Sequence, residues 1–572
     1  MAARSDKTAA HISPLSSAPS GESSRGARRR WAITASGLII VLAGAAVYHN
    51  SLNGPFIFDD INSIPGSPTI RSLWPIWPAL SPQTAGGLAV QDRPIVNLSL
   101  AVNYAIGELD VRGYHIFNLV VHLLAALTLF GVIRRTLQLA VMPEHVVLSS
   151  LPLAFVAALI WTVHPLNTEA VTYIIQRTES LMALFYLLTL YCVIRAAAAP
   201  GPLPWYLAAV VACALGAGCK EAMVTAPVII LLYDRVFLSR SFKEVFARRW
   251  PLYVGLAATW GLLAALVLPL SGRAELPPEY EYWTATRSYA YMQFEAVVRY
   301  LGLCFWPYTL VMDYGELSVG EVALSVPQAI VIGLLLAGTI WGLCRRPRVG
   351  FLGVWFFGIL APSSSVIPLV LQQAAEKRMY LPLAAVVLGV VISAYVLGRR
   401  LLDRLGLVQG RRKVVGRLVA LAVALALGVV TVRRNCDYRS EMSIWDDTIT
   451  KKPDNARAWI NRGNAFASMG RYDQAIRDLD RAIEIKPDSS EAHSNRGAAY
   501  ASKRNADKAI GDLDKAIKLK PDYAKAYNNR AVAHFLRGDY GASWADVRKC
   551  QDLGGRVNPD FLANLIRASR GQ

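Results

Sequence analysis

Long apolar runs recur through the first 435 residues, and they constrain this chain more than any other feature. A helix needs roughly 20 mainly apolar residues to cross the hydrocarbon of a bilayer. Runs of that kind lie at 31–48, 116–134, 148–164, 179–197, 203–219, 222–238, 250–270, 327–344, 350–370, 379–398 and 413–432, and they predict about eleven spans. Hydrophobic residues make up 54% of the 572, while the formal net charge is +19. Disorder needs low hydrophobicity, so it is excluded for most of the chain. The length speaks against one soluble domain. A soluble nucleic-acid binder would set its basic surplus around a water-soluble core, so no nucleic-acid partner is expected. The seven Cys are scattered, without a CxxC pair, and read as small buried residues.

The basic residues orient the runs. Residues 1–30 are rich in Ser, Ala and Arg and end in Arg28-Arg29-Arg30, which reads as a disordered cytoplasmic tail. The arm is long for a signal peptide, so 31–48 reads as an uncleaved first span. Segment 289–306 is apolar but carries Glu295 and Arg299, which are expensive in lipid. With eleven spans, and with 289–306 as an interfacial or re-entrant piece, Arg134-Arg135, Arg235 to Arg249, Arg345 to Arg348 and Arg399 to Arg417 all fall inside, as the positive-inside rule expects. Arg433-Arg434 fit this scheme poorly. The surplus charge is then mostly a topology signal.

From about 440 the chain changes character. Pro453-Asp454, Pro487-Asp488 and Pro521-Asp522 recur with a period of 34, as do Trp459, His493 and Tyr527. Trp459, Gly463, Phe466, Ala475, Leu479, Ala482 and Pro487 match the tetratricopeptide (TPR) pattern. Three repeats with a capping helix near 558–569 make a short α-solenoid. The expected parts are the tail 1–30, a polytopic membrane domain 31–435 with a large outer loop 49–115, and a TPR domain 440–572 on the extracytoplasmic face.

That topology gathers the unusual polar residues at one face. They are Asp59-Asp60, Arg93, His164, Glu169, Arg177, Glu179, Lys220-Glu221, Asp313, Glu316 and Glu376-Lys377-Arg378. Each also has a plainer reading. An Asp pair after a Pro-containing turn caps a helix, His164 beside Pro165 is an ordinary loop residue, and Lys220 or Arg378 can snorkel. Chance scatter would divide such residues between faces, and here they converge. Such a face suits transfer from a lipid phosphate. Arg and Lys bind the phosphate, and a carboxylate takes the proton from an attacking hydroxyl.

Several segments resemble the transmembrane and TPR-repeat-containing protein O-mannosyltransferases of the GT-C superfamily, in a bacterial-type form. They are Phe56-Ile57-Phe58-Asp59-Asp60, Arg93-Pro94-Ile95, Tyr114 to His122, His164-Pro165-Leu166-Asn167-Thr168-Glu169, Cys219-Lys220-Glu221, Trp306-Pro307-Tyr308 and Glu376-Lys377-Arg378-Met379-Tyr380. The resemblance implies a GT-C membrane bundle, a polyprenyl or dolichyl phosphate sugar as donor, mannose as the sugar, and Ser or Thr of a secreted protein as acceptor. It also implies that the acidic pair supplies the catalytic Asp. Asn167 stands where the family usually has a second His, and Gln176-Arg177 lacks the Gly-Arg often seen there.

The expected assignment has Asp59 as base and Asp60 beside it, in that order or the reverse. Arg93, Lys220 and Arg378 bind the donor phosphate. His164, Glu169, Arg177 and Glu376 shape the sugar and acceptor pocket. A divalent metal near the acidic pair is compatible with these residues, but their spacing does not demand one. The TPR domain takes an acceptor peptide, a partner protein, or serves as a lid. Two other functions fit: a non-enzymatic membrane-anchored TPR scaffold, and a related enzyme that glycosylates lipid or polysaccharide. The expected location is a bacterial plasma membrane, with an endoplasmic reticulum membrane as the alternative.

Overall fold

The structure is a computed structural model that describes residues 20–81, 89–267, 282–315, 326–364, 374–406 and 408–570. Glu316 lies outside the described residues, as does most of the basic tail. Among those described, every regular element is helical.

The membrane half runs α1 (Ser20–Tyr48), α2 (Asp59–Ser63), α3 (Pro94–Gly107), α4 (Val111–Leu137), α5 (Ser150–Thr162), α6 (Thr168–Thr172), α7 (Arg177–Ala198) and α8 (Leu203–Ala217). It continues with α9 (Ala226–Tyr233), α10 (Phe242–Val267), α11 (Tyr282–Phe305), α12 (Val326–Arg345), α13 (Pro347–Leu360), α14 (Leu383–Arg404) and α15 (Gln409–Asp437). By length and apolar composition, seven helices of the described residues can cross a membrane, and eight if the bent pair Ser150–Thr162 with Pro165–Thr172 is one span. The remaining expected runs take other forms for local reasons. Run 203–219 is a shorter helix. Run 222–238 changes helix type along its length, from a 3-10 turn into the short α9 and then a π turn, and it carries Asp234 and Arg235. Run 350–370 ends its α-helix at Leu360, where a turn with Pro362 follows.

Helix direction sorts the ends of this bundle. α1 and α15 run side by side and in the same sense, and their ends are joined where Asn435 donates to Val47 O and Asn50 Oδ1, both at 2.9 Å. The acid pair, the loop that follows it and the root of the repeats therefore share one end. Arg134-Arg135, Arg195, Arg235 and Arg345 close helices at the opposite end. Helix α11 does not pass as a span. It lies across the acid end: Tyr289 donates to Ser363 O (2.8 Å), Tyr300 accepts from Ala375 N (2.7 Å), and His164 reaches Cys304 O (3.1 Å).

Only Tyr438, Arg439 and Ser440 separate α15 from α16 (Glu441–Lys451), whose start is closed by a reciprocal Ser440–Ser443 capping box. Three helix pairs follow: α17 (Ala456–Ser468) with α18 (Tyr472–Ile485), α19 (Ser490–Ser502) with α20 (Ala506–Leu519), and α21 (Ala524–Arg537) with α22 (Tyr540–Asp552). The last helix, α23 (Pro559–Arg570), covers the end of the stack. In each repeat a first-helix Arg grips an Asp of the second helix: Arg462–Asp478 (2.7 Å), Arg496–Asp512 (2.6 Å) and Arg530–Asp546 (2.7 Å). Small residues permit that closeness. A Cβ on Gly497 would stand 2.7 Å from Leu513 Cγ.

Candidate functional site

Helix α4 is the pillar of the acid end. His115 Nε2 meets Gly54 O at 2.9 Å, which ties down the loop that leads to the acid pair. Asn118 donates to Val171 O (3.3 Å) and Ile174 O (3.1 Å). His122 is fully buried, bonded to Tyr380 Oη (2.7 Å) and Thr162 O (3.0 Å), and stacked on Trp161. The polar positions from Tyr114 to His122 thus hold backbone turns together, and none is open to a substrate.

Phe58 enters the acid pair with φ of +47°, a conformation that is unusual for a bulky residue. Helix α2 then begins on Asp59 and Asp60. The two carboxyls have opposite surroundings. Asp60 is fully buried, and each of its oxygens accepts a backbone amide: Oδ2 from Ile57 N (3.2 Å) and Oδ1 from Ile175 N (2.8 Å). Burial pushes its carboxyl up to about 8, against the pull of those two amides and Arg177. Asp59 is half-buried, and its own N–H donates to Tyr173 Oη at 2.9 Å. Burial raises its carboxyl above the ordinary range, while Lys377, the Tyr173 hydroxyl and Arg93 oppose that rise.

Charges from distant segments meet around Asp59. Glu169 is buried, with Oε2 accepting from Lys377 N (2.9 Å) and Oε1 standing 3.5 Å from Lys377 Nζ. Lys377 also feels Asp59 and Glu179, and burial lowers its ammonium. Lys220 is ion-paired with Glu179. Arg93 faces Glu221 at 3.7 Å and donates to Ala89 O (2.9 Å). Its side chain is 28% exposed, against 10% for Lys220 and 11% for Lys377, so Arg93 is the most open of these three cations. Arg378 is buried, 3.5 Å from Tyr289 Oη, and its charge is felt at Glu221.

Three expected pocket residues sit behind this cluster. Arg177 is fully enclosed and donates to Asn103 Oδ1 (2.6 Å), Ser99 Oγ (3.3 Å) and Tyr114 O (3.2 Å), with its guanidinium 4.6 Å from the Phe117 ring centre. It locks α3, α4 and α7 together. His164 uses Nδ1 to accept from Leu166 N (3.2 Å) and Nε2 to reach Cys304 O. Glu376 holds Val311 N (2.6 Å) and the Tyr314 hydroxyl (2.8 Å) on Oε1. Burial pushes Glu376 up to about 7, with Arg434 opposing.

Lys377 and Glu179 stand among the polar residues that the sequence gathers at this face, but neither is given a role there; what the sequence does not show is their pairing with Glu169 and Lys220. Among the described residues, no three His, Cys, Asp or Glu side chains are placed to hold a metal ion. The carboxylates are answered by protein cations.

The repeat domain reaches this cluster. Trp445 on α16 is fully buried and meets the Phe58 ring edge-on, with centroids 5.4 Å apart. Lys451 donates to Leu310 O (2.7 Å), Asn455 to Asp313 O (3.0 Å), and Arg457 pairs with Asp313 (2.8 Å). Arg434 pairs with Asp447 at 2.6 Å.

Fold and site together define a polytopic helical membrane protein with a charged cluster at one end of its bundle and a tetratricopeptide array seated on that end. The comparisons with known proteins agree. Models described as "TPR repeat" and "Tetratricopeptide repeat" match residues 463–503 and 494–547. Protein O-mannosyl-transferase F38B6.6 of Caenorhabditis elegans is 23% identical over 78% of this chain and 62% of its own length. Protein O-mannosyl-transferase Tmtc3 of Drosophila melanogaster is 26% identical over 78% of this chain and 55% of its own length. Protein O-mannosyl-transferase TMTC4 of Mus musculus is 24% identical over 77% of this chain and 65% of its own length. The chain is a homologue of these protein O-mannosyl-transferases and spans little more than half to two thirds of the length of the curated relatives it matches.

Proposed function

We propose that the chain is a membrane mannosyltransferase that moves the sugar from a polyprenyl or dolichyl phosphate to a Ser or Thr hydroxyl of a protein, at the extracytoplasmic end of its bundle. The observation that carries this reading is the half-buried Asp59 carboxylate within reach of the Lys377 and Arg93 charges. Asp59 is the base and Asp60 is the residue that positions it. The acceptor oxygen attacks the anomeric carbon as the bond from that carbon to the phosphate oxygen breaks. Its proton passes to Asp59, and the lipid phosphate leaves with the electron pair, so the sugar inverts. Arg93 is the first phosphate ligand because it is the most open cation. Arg378, Lys220 and Lys377 supply the remaining positive field. Glu169 orients Lys377.

The names of the homologues support the reaction class. The seating of the repeats against the site favours a protein acceptor over a lipid or polysaccharide. A scaffold without activity does not account for charged side chains buried at the membrane end. The test is sugar transfer from a polyprenyl phosphate donor by Asp59→Asn and Asp60→Asn proteins, with mass spectrometry of Ser- and Thr-linked hexose on secreted proteins. Full activity in a folded Asp59→Asn protein overturns the base assignment.

A further inference from the structure

The end of the bundle far from Asp59 holds a second charged group that sugar transfer does not use. α4 and α7 run in the same sense from the acid end, so their last turns lie side by side. Arg134 and Arg135 close α4, and Arg195 closes α7. The Arg135 guanidinium sits 5.5 Å from the Tyr191 ring centre, and that of Arg195 sits 6.0 Å from it. Arg195 also lies 4.4 Å from the ring centre of Trp205, at the entry to α8. Both α4 arginines, and Arg29 at the root of α1, feel one another's charge.

Four cations of one sign are thus gathered at one spot. Among the described residues none of the four forms an ion pair with a carboxylate. Their hydrogen bonds go to neutral groups: Arg134 reaches Gln138 Oε1 (3.5 Å), and Arg195 reaches Tyr191 Oη (3.4 Å). The Nε atoms of Arg134 and Arg135 are buried without an acceptor. Arg134, Arg135 and Arg195 are half-buried, and like charges brought together with part of their water removed are costly unless an anion answers them. Tyr191 and Trp205 lie within cation–π range of Arg135 and Arg195, whereas arginines that serve only as a topology signal would spread into water. Planar guanidiniums bind phosphate in a two-pronged manner, and basic clefts between helix ends take anionic headgroups.

We propose that Arg134, Arg135 and Arg195, with Tyr191 and Trp205 as their platform, form a binding site for the phosphodiester headgroup of an anionic phospholipid, on the leaflet opposite the sugar-transfer site. The shared chemistry is a phosphate anion, which a free phosphate also offers. The anion occupies the unfilled donors and cancels the repulsion among the three arginines.

The test uses the full-length protein in detergent and does not read enzymatic activity. Native mass spectrometry and thermal unfolding are recorded with added phosphatidylglycerol, with phosphatidylcholine, and with inorganic phosphate. The expected result is a retained phosphatidylglycerol adduct and a higher midpoint with that lipid alone. The variant Arg134→Gln/Arg135→Gln/Arg195→Gln should lose affinity by about fivefold per arginine. Arg345→Gln/Arg346→Gln/Arg348→Gln, in another basic turn, should bind as the unaltered protein does. Equal retention of phosphatidylcholine overturns the site, and so does unchanged phosphatidylglycerol binding in the first triple variant. An equal effect of inorganic phosphate assigns the site to a free anion and overturns the lipid. Should the triple variant not fold, Arg195→Gln alone and the comparison of three ligands on the unaltered protein still decide the matter.

Discussion

Asp60 turns both oxygens to backbone amides, while Asp59, its neighbour, stands among cations. The two substitutions should therefore fail differently. Asp59→Asn should lower transfer by about 10²- to 10⁴-fold, the usual worth of a general base, with little change in the unfolding midpoint. Asp60→Asn sets an NH₂ against a backbone N–H and should cost about 1–3 kcal/mol of stability, measured by thermal unfolding. The pH profile gives a second check. A base works only when ionised, and burial raises Asp59, so activity should fall on acidification at a pH above the ordinary carboxylate range. Lys377 holds Asp59 down. Lys377→Gln should thus move that acid limb to higher pH, and a move to lower pH would count against Asp59. Glu376 supplies a stability signal. Its folded value of about 7 exceeds its unfolded one of 4.5, so it binds its proton more tightly when folded. Its contribution is full below the unfolded value and is lost as pH rises through about 7. The unfolding midpoint should fall less steeply over that window in Glu376→Gln than in the unaltered protein. The acid pair is visible in the sequence because two Asp after an apolar span are unusual. Which of the two faces inward is not, because the deciding partner, Ile175 N, is 115 positions away.

At the scale of elements, α16 and the loop before α2 act as one unit. Trp445 presses edge-on against Phe58, and Phe58 holds a positive φ directly before Asp59. Trp445→Ala should cost about 3–5 kcal/mol by leaving a cavity and should also lower kcat for a small free acceptor. Trp445→Phe should restore much of the rate, and a rate unchanged in Trp445→Ala would mean that the contact only packs. The TPR helices were legible because a period of 34 with fixed small positions leaves few alternatives. The spans were legible where a run forms one unbroken helix. Run 222–238 reads as a span by hydropathy alone, but hydropathy does not register the change of helix type on both sides of α9. The pairing of Lys377 with Glu169 was not legible either, since it joins residues 208 positions apart.

For the whole molecule, the repeat domain is part of the site's support, and a cut at 440 removes more than a recruiting module. Loss of 440–572 takes away Trp445, Lys451, Asn455 and Arg457, which touch Phe58, Leu310 and Asp313. That truncation should abolish transfer even to a small acceptor. Loss of 490–572 keeps those contacts and should spare the small acceptor while lowering transfer to whole proteins. Both follow from measuring rates on the two acceptors. Three residues join α15 to α16, and the first repeat is bolted to Asp313, so the array has a fixed root. A fixed root makes the repeats a ruler: a protein gripped along them offers its hydroxyls to Asp59 at set distances from the gripped segment, and the spacing of modified Ser and Thr along a substrate would carry the geometry of the stack.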